Sequence, residues 1–221
     1  MNDSPKRVSW RFPRWSNLLR PALGGALVGL PVYLTVLVWL GGSAKTINVG
    51  YAPKQPVPYS HALHAGKLGI DCRYCHTTVE TARFAALPPT QICMNCHTRV
   101  RTNSPKLALV RQSLITGRPI PWVKVHDLPD YVYFDHGAHV GAGVGCVECH
   151  GRVDRMEVVR TVKPLNMAWC LDCHRNPDPH LRPADKVTDL AWRPDDPLAT
   201  GRRIREERGI APRVDCWTCH R

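Results

Sequence analysis

The ten cysteines of this chain, with five of its histidines, fall into one repeated pattern. The runs are Cys72-Arg-Tyr-Cys75-His76, Cys93-Met-Asn-Cys96-His97, Cys146-Val-Glu-Cys149-His150, Cys170-Leu-Asp-Cys173-His174 and Cys216-Trp-Thr-Cys219-His220. Two thiols three positions apart can add across the two vinyl groups of one haem. The histidine directly after the second thiol is then held against the iron as its proximal ligand. A disulfide framework has no use for a histidine after every second cysteine. Zinc would pair two C-x-x-C units, leaving one of five over and the histidines unexplained. The spacing therefore predicts five covalently bound c-type haems.

An iron that only carries electrons also needs a ligand on its other face. Outside the motifs the chain offers His61, His64, His126, His136, His139 and His180, with Met94, Met156 and Met167. The pairs His61/His64 and His136/His139 are the strongest distal ligands, because residues three apart on one helical turn can reach neighbouring haems. They suit four bis-histidine haems. Met167 is expected on the fifth iron, where a thioether raises the potential relative to the others. Met156, His126 and His180 are further candidates. Ligands in surplus argue for electron transfer rather than chemistry at an open iron, and no catalytic residue is assigned.

The elements that must position these ligands repeat. Tyr59-Ser-His61-Ala-Leu-His64 precedes motifs at Cys72 and Cys93, and Phe134-Asp-His136-Gly-Ala-His139 precedes motifs at Cys146 and Cys170. This is the plan of a duplicated di-haem module whose copies stack. The expected divisions are a first module at 44–103, a connector at 104–133, a second module at 134–180, and a C-terminal arm at 181–221 that carries the fifth haem away from the other four. Within the connector, Ser104-Pro105 and Gly117 bracket a surface helix, and Arg202 to Arg208 reads as a short solvated helix. With Phe 3, Tyr 6 and Trp 7 against Gly 16 and Pro 20, little conventional core is available. The expected fold is a multihaem cytochrome c, mostly irregular with short α-helices packed around five haems, plus one N-terminal transmembrane helix.

That helix is expected at 21–43, where Pro21 to Ser43 carries no charge and is long enough to cross a hydrocarbon layer of ~30 Å. Residues 1–20 hold Lys6, Arg7, Arg11, Arg14 and Arg20 against Asp3, which places the N-terminus in the cytoplasm and the haem domain on the periplasmic side of a bacterial inner membrane. The run is too long for an ordinary cleaved signal and reads as a retained anchor. Gly25 and Gly29 give it a small-residue face suited to a partner helix. The formal charge of +12 does not imply nucleic acid, because the propionates of five haems would offset most of it.

Three longer runs carry a resemblance. His61-Ala-Leu-His64-Ala-Gly-Lys-Leu-Gly-Ile-Asp-Cys72, Cys146-Val-Glu-Cys-His-Gly-Arg-Val-Asp-Arg-Met156 and Leu165-Asn-Met167-Ala-Trp-Cys170-Leu-Asp-Cys-His-Arg175 resemble the pentahaem cytochrome subunit of alternative complex III. The resemblance covers most of residues 20 to 221. It implies a relay inside a quinol:electron acceptor oxidoreductase, beside an integral membrane quinol-oxidising subunit, an iron–sulfur subunit and a monohaem cytochrome subunit, with membrane lipid around the anchor. Electrons would pass on to a periplasmic cytochrome, a soluble carrier or a terminal oxidase. The alternative reading is a stand-alone membrane-anchored multihaem quinol dehydrogenase.

Overall fold

The computed structural model describes residues 12–41 and 48–220. Residues 1–46 and 47–221 form two compact units. In the first, a 3₁₀ turn at Arg14–Leu18 leads into α1, Leu19–Gly41. The most apolar stretch within Arg14–Gly41 has a mean hydropathy of 2.0 and none of its residues is buried within the chain, so its length and composition suit a membrane span. Pro31 lies inside α1, and the Thr35 hydroxyl donates to the Pro31 carbonyl at 2.8 Å, keeping that polar group's hydrogen bond within the helix. A Cβ added at Gly25 or Gly29 would meet nothing within 4 Å, so both glycines lie on an open face.

The second unit is built from very short helices. After a π-helix at Ala62–Lys67 come α2 (Cys72–Cys75), α3 (Thr90–His97), α4 (Ala108–Thr116), α5 (His136–Ala142), α6 (Cys146–His150), α7 (Met167–Arg175), α8 (Pro197–Glu207) and α9 (Cys216–Cys219). Most are too short to stand alone, and five are held at their starts by side-chain caps. Asp71, Asp135, Asn166, Asp196 and Asp215 accept from the backbone N–H of Arg73, Ala138, Trp169, Ala199 and Thr218. Among the described residues there is no strand, only an isolated bridge between Val144 and Leu181.

The expected connector helix forms as a 3₁₀ turn at Pro105–Leu107 followed by α4, closed by Gly117 at φ +70°. Past it the chain is extended, and Gln55 brackets it by donating to the Val123 carbonyl and accepting from the Val123 N–H. The buried apolar side chains are few and small, among them Val57, Val110, Leu181, Val187, Leu190 and Ile204. Large apolar residues such as Phe84, Leu87, Ile115 and Trp217 are exposed. A unit of this size normally buries far more, and the shortfall is the space that prosthetic groups would fill.

The C-terminal segment does not swing away. α8 packs on the 3₁₀ turn Asp178–His180 so closely that a Cβ on Gly201 would strike the Asp178 backbone. Arg205 pairs with Asp178 at 2.6 Å, and Arg208 donates to the Gly141 carbonyl. The expectation of an arm that carries the fifth motif away from the others is corrected. The proline-rich composition that suggested an arm encodes a wrap over the second module instead.

Candidate haem-binding site

The two His-x-x-His turns are built alike. In the first, the Ser60 hydroxyl accepts from the Leu63 N–H at 3.0 Å, and the His64 Nδ1 donates to the Ser60 carbonyl at 2.8 Å. In the second, Asp135 accepts from the Ala138 N–H at 3.0 Å, and the His139 Nδ1 donates to the Asp135 carbonyl at 2.6 Å. Each turn leans on the other module. The N–H after His61 donates to the Met156 carbonyl at 3.0 Å, and the N–H after His136 donates to the Ala82 carbonyl at 3.1 Å. Met156 and Ala82 both lie six residues past a motif histidine, so the two modules dock by a reciprocal exchange. Met156 is thereby a buried packing residue between modules.

Histidine rings face one another across gaps. The ring centroids are 6.2 Å apart for His64 and His97, 6.0 Å for His139 and His174, and 6.4 Å for His136 and His150. Two imidazoles trans on one metal, each bonded at about 2 Å, hold their centroids about 6 Å apart. His61 lies near His76. Burial first, then the His76 and His64 charges, push its pKa down to about 4. The same causes, burial first and then His126, His136, His76 and His61, take His150 down to about 3. Burial also lowers His139. These imidazoles are neutral at physiological pH, the form that can bind iron.

Seven histidines spend Nδ1 on a backbone carbonyl and leave Nε2 free. His64 and His139 do so within their own turns, His76 on Ala86, His97 on Val100, His136 on Arg83, His174 on Arg213 and His220 on Tyr131. This is the tautomer-fixing arrangement of a metal-bound imidazole. His180 instead donates Nδ1 to Glu148 at 2.9 Å, and Glu148 also accepts from the buried Arg182 at 3.0 Å. Burial works to raise the Glu148 carboxyl, but the hydrogen bonds from His180 and Arg182 outweigh it and hold the group below its ordinary value. His126 stands only 4.4 Å from His150, edge to face, and its Nε2 is buried without a partner. That gap is too short for a metal to lie between the two rings. Met167 opens α7 at 60% exposure.

All ten cysteines are free of disulfides, and the thiols of successive sites are electrostatic neighbours. Burial, then the Cys93 and Cys96 thiols, raises Cys75. Burial, then Cys72, takes Cys146 up to about 11. Burial, then Cys173 with Glu148 and Cys170, takes Cys149 up to about 12. Burial, then Cys219, raises Cys170. The five motifs therefore adjoin in the order second, first, third, fourth, fifth. Paired thiols, each followed by a histidine, and histidine rings about 6 Å apart fit haem. Among the described residues no three His, Cys, Asp or Glu side chains converge closely enough to hold a lone ion.

The sequence reading singled out the two His-x-x-His pairs, and the structure places them on two similarly built turns. It missed Arg83 and the residue-82 carbonyl as anchors, and the Glu148–Arg182 pair behind the third motif. Arg182 lies against Gly145, where a Cβ would collide with its side chain; a glycine directly before a motif cysteine was the available signal.

Residues 132–221 match the family of cytochrome c7 and related cytochrome c. The chain is also 35% identical, over 134 residues, to a protein of Nitratidesulfovibrio vulgaris named "Menaquinone reductase, multiheme cytochrome c subunit". That stretch is 58% of this chain and 60% of the relative. Residues 132–221 are thus similar to multihaem cytochromes of the cytochrome c7 kind, and the chain spans about 60% of the length of the reductase subunit that it resembles.

Proposed function

We propose that the chain is an electron relay of five haems, anchored by α1 with its N-terminus cytoplasmic and its haem unit periplasmic, within a quinol-oxidising complex like alternative complex III. The motif residues Cys72/Cys75, Cys93/Cys96, Cys146/Cys149, Cys170/Cys173 and Cys216/Cys219 hold the haems. His76, His97, His150, His174 and His220 are the proximal ligands. When bound, haem supplies the reversible one-electron couple. The protein's part is to set each iron's partner: His61 opposite His76, His64 opposite His97, His136 opposite His150, and His139 opposite His174. The observation that carries the reading is the set of three facing histidine pairs at 6.0–6.4 Å, strung along a continuous line of motifs.

Met167 serves the fifth iron. It is exposed one turn before Cys170, and Cys170 adjoins Cys219, whereas Met156 is committed to packing between the modules. Met167→Ala is expected to lower the potential of one haem in a redox titration, and Met156→Ala to lower stability by about 2–3 kcal/mol with the potentials kept. A titration changed by Met156→Ala and not by Met167→Ala would reverse the assignment.

The relative's name supports a second direction of flow, towards quinone. Gentle detergent extraction, a native gel stained for haem, and identification of the co-migrating chains test the complex. Co-migration with a polytopic membrane subunit and an iron–sulfur subunit is expected. Reduction of the haems by added quinol supports oxidation, and oxidation of pre-reduced haems by menaquinone supports the reverse. A chain that runs alone and is reduced directly by quinol would be a stand-alone quinol dehydrogenase.

A further inference from the structure

One aromatic ring touches both histidines of each His-x-x-His turn, and it does so in the same way twice. Tyr59 stacks on His64, with centroids 4.4 Å apart and planes at 20°, and meets His61 edge to face at 4.8 Å and 84°. Phe134 stacks on His139 at 4.5 Å and 29°, and meets His136 edge to face at 4.8 Å and 87°. A flat ring that is parallel to one imidazole and perpendicular to its neighbour fixes both planes about the metal–nitrogen axis. A hydrogen bond through Nδ1 also orients the ring, and the aromatic contact adds a planar restraint to it, the only one that His61 has among the described residues.

The first contact is not a by-product of loose packing. Tyr59 is half-buried, in the neighbourhood of the Cys75, Cys93 and Cys72 thiols. The ring thus lies where the first and second haem motifs meet. The backbones around the two rings differ, a π-helix after Tyr59 and an α-helix after Phe134. The ring geometry survives that difference, as expected if the ring rather than the helix type sets the imidazole planes.

We infer that Tyr59 and Phe134 are positioning residues that set the ring planes of two distal histidines each, and through them the electronic structure of the two haems in each module. This rests on the assignment of His61, His64, His136 and His139 as distal ligands. The ligand plane governs the splitting of the iron d orbitals in a low-spin ferric haem, so electron paramagnetic resonance reads it directly.

The test uses the haem-loaded full-length chain, with five haems per chain checked first. Tyr59→Leu is expected to shift two of the low-spin resonances, Phe134→Leu a different two, and Tyr59→Phe none, because phenylalanine keeps the flat face. If Tyr59→Leu does not accumulate with its haems, Tyr59→Met and Phe134→Met keep the volume without a flat face and carry the same expectation. Unchanged resonances in the leucine or methionine variants, with one resonance lost in His64→Ala, would overturn the clamp and leave the ligand assignment standing. If His64→Ala also leaves every resonance in place, both fall. A shift in Tyr59→Phe equal to that in Tyr59→Leu would assign the effect to the hydroxyl and overturn the clamp.

Discussion

Of the four histidines in the two His-x-x-His turns, two are held in the same manner and the other two each differently. His64 and His139 use Nδ1 on the carbonyl of the cap residue in their own turns. His136 donates its Nδ1 across the module boundary to the Arg83 carbonyl at 2.9 Å. His61, at the matching place, has its Nδ1 buried with no partner. The chain position equivalent to Arg83 is Glu157, seven residues past His150. The two turns share the geometry of their histidines, while the shell behind them differs. Identical ligand types can therefore serve haems of different potential, because the hydrogen bond behind an imidazole sets how strongly it donates to the metal.

The strongest way to break the symmetry is to remove a matched ligand. His64→Ala and His139→Ala should each convert one low-spin haem to a five-coordinate one that binds carbon monoxide when reduced, while the wild type binds none. Absorption spectra with and without carbon monoxide check this. Carbon monoxide binding in one variant alone would mean that the two modules are not ligated alike.

The docking of the modules offers a smaller lever on stability. A Cβ on Gly66 would run into the Asp154 carbonyl, and one on Gly137 would lie 3.1 Å from the Glu80 carbonyl. The first clash needs the backbone to move; the second is relieved by a few tenths of an ångström. Gly66→Ala should cost about 3 kcal/mol and Gly137→Ala about 1 kcal/mol. Denaturant melts of the loaded proteins would show the ranking, and equal costs would mean that the two docking faces are equally tight.

The divergence behind the ligands predicts an ordering of potentials. An imidazole that donates through Nδ1 is the more basic ligand and favours ferric iron. The haem of the first motif, opposite His61, should therefore sit above that of the third, opposite His136. One hydrogen bond of about 1.4 kcal/mol corresponds to about 60 mV for a one-electron couple. Assigning redox steps through the His61→Met and His136→Met variants tests the order, and the reverse order would mean that burial or charge outweighs the hydrogen bond.

The c-type haem cofactor was legible in the sequence because thioether chemistry demands fixed local spacing. The pairs His61/His64 and His136/His139 were visible for the same reason, lying on one turn. Which histidine faces which was not legible. It depends on contacts such as Ala62 to Met156 and Gly137 to Ala82, each spanning more than fifty residues and made by backbone atoms that leave no residue-type signature. The α8 wrap escaped for a related reason: its anchors, Arg205 on Asp178 and Arg208 on Gly141, look in sequence like ordinary solvated charges. The composition did announce the thin core, and the exposure of Phe84, Leu87 and Ile115 agrees with it.

The smallest expected effect separates the first motifs of the two modules by pH. Asp71 caps α2, accepting from the Arg73 N–H and side chain and from the Thr188 hydroxyl, whereas α6 starts at Gly145 with no side-chain cap. The Arg73 hydrogen bonds hold the Asp71 carboxyl at about 2, below its ordinary 3.8. A carboxyl depressed in the folded state adds stability that is fully present above its unfolded value and is lost as pH falls through the folded one. The contribution should therefore fade between about pH 4 and pH 2. Asp71 is 42% exposed, and solvent screening keeps the effect at about 1 kcal/mol or less. Asp71→Asn retains an accepting oxygen but loses the charge, so it should melt earlier than wild type at pH 7 and together with it at pH 2. A gap of the same size at both pH values would show that the cap acts through shape alone. At α6 there is no capping carboxyl to protonate, because Arg182 fills the space that a side chain at residue 145 would need; the acid-sensitive carboxyl there is Glu148, held below its ordinary value by the His180 and Arg182 hydrogen bonds.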